Sequence, residues 1–276
     1  MRMRNRLATP TTWKDIINVM ISDVRTKVNS YLDTEPSVDT GQTRDTAYTY
    51  NDFKLTADTL TIDQYEIIPI LIDEADRHQQ TYLDQMKIAK FQGAKIDERL
   101  ETLILSEHTN WKNFGVTDLS NSGDDDTTKI TVSAANVDDI IRAIKRKIYA
   151  NNGVDLAVEN GIFIVWRAED FELLEAFVQA NGFTEADIGL KNGIPVQKAF
   201  HYMGVDHYLS NSHAANHVFA GIKKQAEIGI LRGTWGKVKF IEDPGLVSGL
   251  GIVNRLDYGT NYPAQLAQFF MDINVN

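Results

Sequence analysis

One apolar stripe constrains this chain more than any other feature. Tyr82, Met86, Ala89, Gly93, Ile96, Leu100 and Leu103 follow one another at steps of four and three residues. That spacing returns side chains to one face of an α-helix. A break would reset the phase, and the phase runs unchanged through Gly93, which sits on the stripe itself. The stripe therefore predicts one helix of about 30 residues, about 45 Å long, rather than two shorter helices meeting at Gly93. Glycine costs about 1 kcal/mol at such a position and leaves room for a close backbone neighbour.

The segments before the stripe read differently. Arg2, Arg4 and Arg6 precede Pro10, which limits any helix before it. Trp13, Ile17, Met20, Val24, Val28 and Tyr31 then recur at helical spacing, with Lys14, Asp15, Asn18, Ser22 and Arg25 on the other side. An amphipathic helix over 13–31 is expected. Asp33 to Asp45 is polar, carries Pro36 and Gly41, and reads as a linker. From Thr46 the pattern alternates: Tyr48, Tyr50, Phe53, Leu55, Leu60 and Ile62 stand among Thr, Asn, Lys and Asp. Residues 44–72 are expected to form a long β-hairpin with its tip at Thr56-Ala57-Asp58-Thr59. Pro69 should interrupt ladder pairing in the second arm. An isolated hairpin is marginal in water, so this one needs another surface, such as a neighbouring subunit, to lie on.

Beyond residue 129 the elements shorten and alternate, as in a compact α+β region. Val137, Ile140, Ile141, Ile144 and Ile148 mark a helix, with Asp138 and Asp139 early and Arg142, Lys145, Arg146 and Lys147 late. That order complements the helix dipole and favours a structural role over a nucleic-acid patch. Gly161 to Trp166 is apolar on both faces, as a central strand is. Phe171, Leu174 and Val178 make a short helix stopped by Asn181-Gly182. Strands are expected at Ile194–Phe200, Val205–Leu209, Val218–Ile222, Val238–Ile241 and Gln265–Val275. Gly249-Leu250-Gly251 reads as a turn, because a dinucleotide fingerprint would need a third glycine and a helix behind it.

Searching for chemistry mainly excludes. The chain has no cysteine, so disulfides, thiolate metal sites and a cysteine nucleophile are ruled out. No phosphate loop, dinucleotide fingerprint or nucleophile elbow is present. The run Asp124-Asp125-Asp126 lacks the alternating ligands of a calcium loop and reads as a solvated surface loop. The sharpest candidate is His201, Asp206, His207, His213 and His217, where imidazoles four apart could share a metal on one helix face, as in a metal-dependent hydrolase. That stretch lacks the general-base Glu of H-E-x-x-H and has little helical support, so turn and surface histidines are expected instead. No enzyme, catalytic residue, metal or cofactor is expected. Apolar runs such as Ile162 to Trp166 are about a quarter of the ~20 residues a membrane span needs. The positive start MRMRNRL has no apolar segment behind it, so a soluble, unexported protein without a membrane partner is expected.

Specific stretches, taken in order, resemble the major capsid protein of tailed double-stranded DNA bacteriophages, the Hong Kong ninety-seven type fold. A basic N-terminal arm, a long hairpin, a spine-like helix and an α+β region follow one another. Gly161 to Gly182 is similar to that family's strand-helix unit after the spine. Gly193-Ile194-Pro195-Val196 through Tyr208-Leu209-Ser210-Asn211 resembles its "G-x-P-V … S-N" run. Val218 to Gln225 resembles the strand "a-v-f-g-x-k-x-a", and Asp257-Tyr258-Gly259 its near-terminal "Y-G" turn. The resemblance spans nearly the whole chain, though each motif is short.

It implies an arm over 1–43, an extended loop over 44–72, and a peripheral domain over 73–131 with return strands near 233–258. The axial domain would be 132–232 with 259–276. It implies pentamers and hexamers of one chain in an icosahedral head, assembled in the host cytoplasm and becoming the virion capsid. Portal protein and packaged DNA would be its partners, with cement proteins possible. Because the arm starts almost at Met1, scaffolding would be a separate protein or absent. Encapsulin compartments share the fold and are the nearest alternative.

Charge placement fits that division. The chain has 28 Lys and Arg against 38 Asp and Glu, a formal charge of −10. Yet residues 1–30 hold six bases and two acids, and residues 31–86 hold three bases and twelve acids. The arm, with Arg2, Arg4 and Arg6, can face DNA without sequence preference. The acidic hairpin should seek basic protein surface.

Overall fold

The computed structural model describes residues 12–32, 55–73, 82–120, 126–181, 190–191, 194–195, 199–212, 214–234, 238–242, 249–263 and 265–276. The helix expected over 13–31 is only one turn, α1 (Trp13–Ile16), followed by strands β1 (Asn18–Ser22) and β2 (Thr26–Leu32). Two local facts defeat the helical spacing. Ile16, Ile17, Val19 and Ile21 form a β-branched cluster that suits a pleated surface. The Ser22 Oγ donates to the Val24 carbonyl at 2.8 Å, closing a turn. Val24 and Val28, which the helix reading placed on its apolar face, are 59% and 60% exposed.

The hairpin also has a different partner from the expected one. Strand β3 (Leu55–Thr61) pairs antiparallel with β2, from Thr26↔Thr61 to Leu32↔Leu55. Residues 56–59 are therefore mid-strand and not a tip. Strand β4 (Gln64–Asp73) turns away and pairs antiparallel along ten residues with β14 (Gly249–Asn261). Alternation identifies a strand but is the same for any partner, so the pairing was not legible. Pro69 does not break β4; it stands opposite Val253. Among the described residues β4 has a strand on one side only, and an edge strand tolerates a missing N–H. Tyr48, Tyr50 and Phe53 lie outside the described residues.

The apolar stripe forms one helix, α2 (Tyr82–Ser106), 25 residues long and continuous through Gly93. Strand β5 (Lys112–Phe114) follows a 3-10 turn over Glu107–Asn110. Then come α3 (Val137–Ala150), α4 (Val154–Asn160), β6 (Ile162–Trp166), α5 (Ala168–Ala180), β7 (Leu190–Lys191), β8 (Ile194–Pro195), β9 (Ala199–Tyr202), β10 (Val205–Leu209), β11 (His217–Ile222), β12 (Glu227–Leu231), β13 (Val238–Glu242) and, after β14, β15 (Phe270–Asn274). Gly249-Leu250-Gly251 opens β14 instead of forming a turn.

Two sheets organise these elements. The larger has the order β5-β15-β11-β6-β10-β9. Its centre, β6, is wholly buried, and its alternation divides two cores. Ile162, Ile164 and Trp166 pack with α3 and α5 residues such as Ile140, Ile144, Phe171 and Leu174. Phe163 and Val165 join Trp13, Ile17, Leu100, Phe219 and Phe270 under α2. The second sheet has the order β1-β12-β14-β13, with β4 also on β14. Its residues Ile72, Leu250 and Ile252 receive Ile88 of α2 in a third, small core. The long helix thus touches both sheets.

Candidate inter-subunit surfaces and the histidines

On α2, the stripe residues Ile96 and Leu100 are buried, and Leu103 is partly buried against the core of Phe163 and Phe270. The side chains of Tyr82, Met86 and Ala89 lie outside what is described. Among the described residues nothing stands within 4 Å of a Cβ built on Gly93, so none of them is the close neighbour that would explain it. Two polar residues that an apolar pattern cannot reveal complete the buried face. Gln92, 1% exposed, donates from Nε2 to the carbonyls of Ile68 and Ile252, each at 2.9 Å, and so joins the helix to β4 and β14. Glu101, 0% exposed, accepts from Thr12 and Ser210. Burial pushes its carboxyl above the usual range, and the hydrogen bonds from Ser210 and Thr12 only partly oppose that.

The hairpin candidates separate into two groups. Leu60 and Ile62 are buried within this chain, against Gly229 of β12. Leu55 is exposed, as are Tyr65, Ile67 and Leu71 on β4 and Phe240 and Ile241 on β13. Ile67 and Ile241 border a groove of about 660 Å³ whose wall also carries Arg25, Lys239, Arg255 and Asp257. Arg255 Nε meets Asp257 Oδ1 at 2.6 Å, and Arg25 reaches Oδ2 at 3.4 Å. The Arg255 guanidinium lies 4.9 Å from the Tyr65 ring centre. Apolar edge residues beside a cluster of bases with one carboxylate suit an acidic, partly apolar segment. Arg2, Arg4 and Arg6 lie outside the described residues.

Of the histidines weighed as a metal set and read as turn and surface residues, the three described ones, His201, His207 and His217, do not share one site. His207 is buried and accepts the Trp166 indole N–H on Nδ1 at 2.9 Å, while Nε2 faces the Tyr202 carbonyl at 3.2 Å. Burial pulls its pKa down to about 4. His201 is exposed and pairs with Asp206 at 2.7 Å. Burial works against the Asp206 carboxylate, but Lys223 and His201 hold it below its ordinary value. His213 is outside the described residues. His217 instead meets His108 and Asp272. In a β-strand, successive residues face opposite ways, which sends Asp206 and His207 apart. His108 lies too far away in sequence for any local spacing to have found it. Among the described residues, no helix is long and apolar enough to cross a membrane.

No protein-family profile matches the chain, and no curated protein matches it. Solved structures do. A chain of Mycobacterium phage Che8 is 15% identical with a TM-score of 0.73, covering 99% of this chain and 94% of that one. A capsid chain of the cyanophage P-SCSP1u is 12% identical with a TM-score of 0.62, covering 100% and 91%. A chain of the bacteriophage PhiM1 mature capsid is 12% identical with a TM-score of 0.64, covering 100% and 90%. With a long helix packed on two sheets and this end-to-end likeness, the chain has the fold of these phage capsid chains, the Hong Kong ninety-seven type.

Proposed function

We propose that this chain is the major capsid protein of a tailed double-stranded DNA phage and forms pentamers and hexamers that close into an icosahedral head. The observation that carries this reading is end-to-end similarity: the chain aligns over nearly all of its length with nearly all of the phage capsid chains. The exposed apolar row Tyr65, Ile67 and Leu71 on β4, with Phe240 and Ile241 on β13, supports it, because a lone chain gains nothing from keeping them in water. Heterologous contacts repeated between copies close into rings and shells.

In this reading the arm with Arg2, Arg4 and Arg6 faces packaged DNA through its charge alone. The portal is a partner, as are any separate scaffolding or cement proteins. Assembly takes place in the host cytoplasm, and the virion capsid is where the chain ends up. Electron microscopy and light scattering of the expressed chain, alone and with its neighbouring head proteins, test it. Megadalton closed particles are expected. A chain that stays monomeric under both conditions would overturn the proposal.

A further inference from the structure

His217 belongs to a cluster that no local spacing marks. His217 opens β11, Asp272 lies on the neighbouring strand β15, and His108 belongs to the 3-10 turn at the end of α2. Strand register explains the meeting. Asp272 stands opposite Phe219, and His217 is two residues from Phe219, so the three share one face of the sheet. The end of α2 then brings His108 onto that face. Its Nδ1 lies 2.9 Å from one Asp272 oxygen, and the His217 Nδ1 lies 2.7 Å from the other. The imidazole centres are 4.7 Å apart, and one donor atom from each residue falls within a 4.8 Å set. Asp272 is 5% exposed by side chain and the histidines 17% and 23%. Phe219 stacks under both rings, at 5.3 Å and 6.2 Å.

We propose that His108, His217 and Asp272 form a structural binding site for one divalent transition-metal ion of the zinc class. Two imidazole nitrogens and a carboxylate oxygen are the donor set of such ions, whereas magnesium and calcium prefer oxygen alone. The two His–Asp272 contacts, 2.9 Å and 2.7 Å, run to different carboxylate oxygens, and an ion seated among the three residues would take one oxygen from Asp272 and one nitrogen from each histidine. The three residues come from three separated segments, so an ion here would fasten the end of the long helix to the central sheet. Water would complete its coordination. The partly exposed histidine edges give an entry path. Nothing in this site depends on the chain forming a shell.

The test uses the untagged full-length chain, stripped with a chelator and titrated with zinc chloride by calorimetry and with cobalt chloride by visible spectroscopy. One ion per chain, a cobalt d–d band and a higher melting temperature with zinc are expected. Each should be lost in His108→Gln, His217→Gln and Asp272→Asn, and each should persist in His201→Gln, which alters an exposed histidine outside the cluster. Circular dichroism separates loss of the site from loss of the fold. If a variant fails to fold, the wild-type cobalt spectrum still decides, since nitrogen ligation gives a distinctive band. Absence of stoichiometric uptake, or uptake that survives all three substitutions, would overturn the proposal. A cluster that answers to pH and ignores zinc would do the same, because protons alone would then hold it together.

Discussion

Glu101 of the long helix accepts the backbone N–H of Thr12 at 2.5 Å, although 89 residues separate them in the chain. The same carboxyl accepts from the Ser210 hydroxyl just beyond β10. One side chain thus ties together the N-terminal segment, the helix and the larger sheet.

Glu101→Ala would leave those donors buried without their acceptor, and a loss of about 2–3 kcal/mol is expected in chemical denaturation. Glu101→Gln keeps an acceptor and should cost far less. The raised pKa also fixes a sign. Above the unfolded-state pKa the folded chain holds a proton that the unfolded chain has released, so stability falls as pH rises through the folded value. The Gln variant should lack that component, and urea midpoints measured across the acid to neutral range should draw level with or overtake wild type as pH increases. Parallel pH profiles for the two chains would count against it.

His207 behaves in the opposite sense. Burial pulls its pKa down from the ordinary 6.5 to about 4. Between those values the unfolded state binds the extra proton, so acidification from near neutral destabilises the fold, by about 3 kcal/mol at most. The cause is burial first, and Trp166 needs an unprotonated Nδ1 to accept its N–H. His207→Gln retains an acceptor without the titration and should flatten the unfolding profile between pH 6.5 and pH 4.

Gly93→Ala should stabilise the isolated chain by about 1 kcal/mol, because a helix interior favours alanine and no atom of the described residues occupies the space. Thermal melting of the unassembled chain reads this directly. A fall in melting temperature would reveal a close neighbour. Gly259 offers the contrast: a Cβ there would meet the Thr61 carbonyl oxygen at 1.9 Å, so Gly259→Ala should damage the fold.

Ile67→Lys combined with Ile241→Lys places positive charge beside Arg25 and Arg255. Both residues are exposed, 43% and 42%, so the melting temperature of the lone chain should barely move, a change within about 0.5 kcal/mol. Particle formation should fail under electron microscopy. Normal particles would show that this groove faces solvent in the assembly.

Elements defined by their own side chains were legible in the sequence. The stripe through Ile96 and Leu100, the α3 pattern of Ile140 and Ile144, and the doubly apolar Ile162–Trp166 all carry their evidence locally. Elements defined by a partner were not. Trp13 to Tyr31 has helical spacing, but the ladder offered by Glu227–Leu231 and the Ser22 turn outweigh it. Leu60 alternates as a hairpin residue should, and only the backing of Gly229 puts it inside. Glu101 and Gln92 interrupt an apolar face, so periodicity passes over the two residues that fasten it. His108, His217 and Asp272 meet only once the sheet register exists.

Strand β15 runs between β5 and β11, in the interior of the larger sheet. Ribosomes deliver a chain from its N-terminus, so this sheet cannot close before Phe270 has been made, however early β5 and β6 emerge. Pairings across so much sequence form late and slowly. A nascent or prematurely ended chain would keep an open slot lined by Val218, Phe219 and Ala220. Position in the sheet thereby acts as a checkpoint: only chains completed through Asn274 can close the larger sheet.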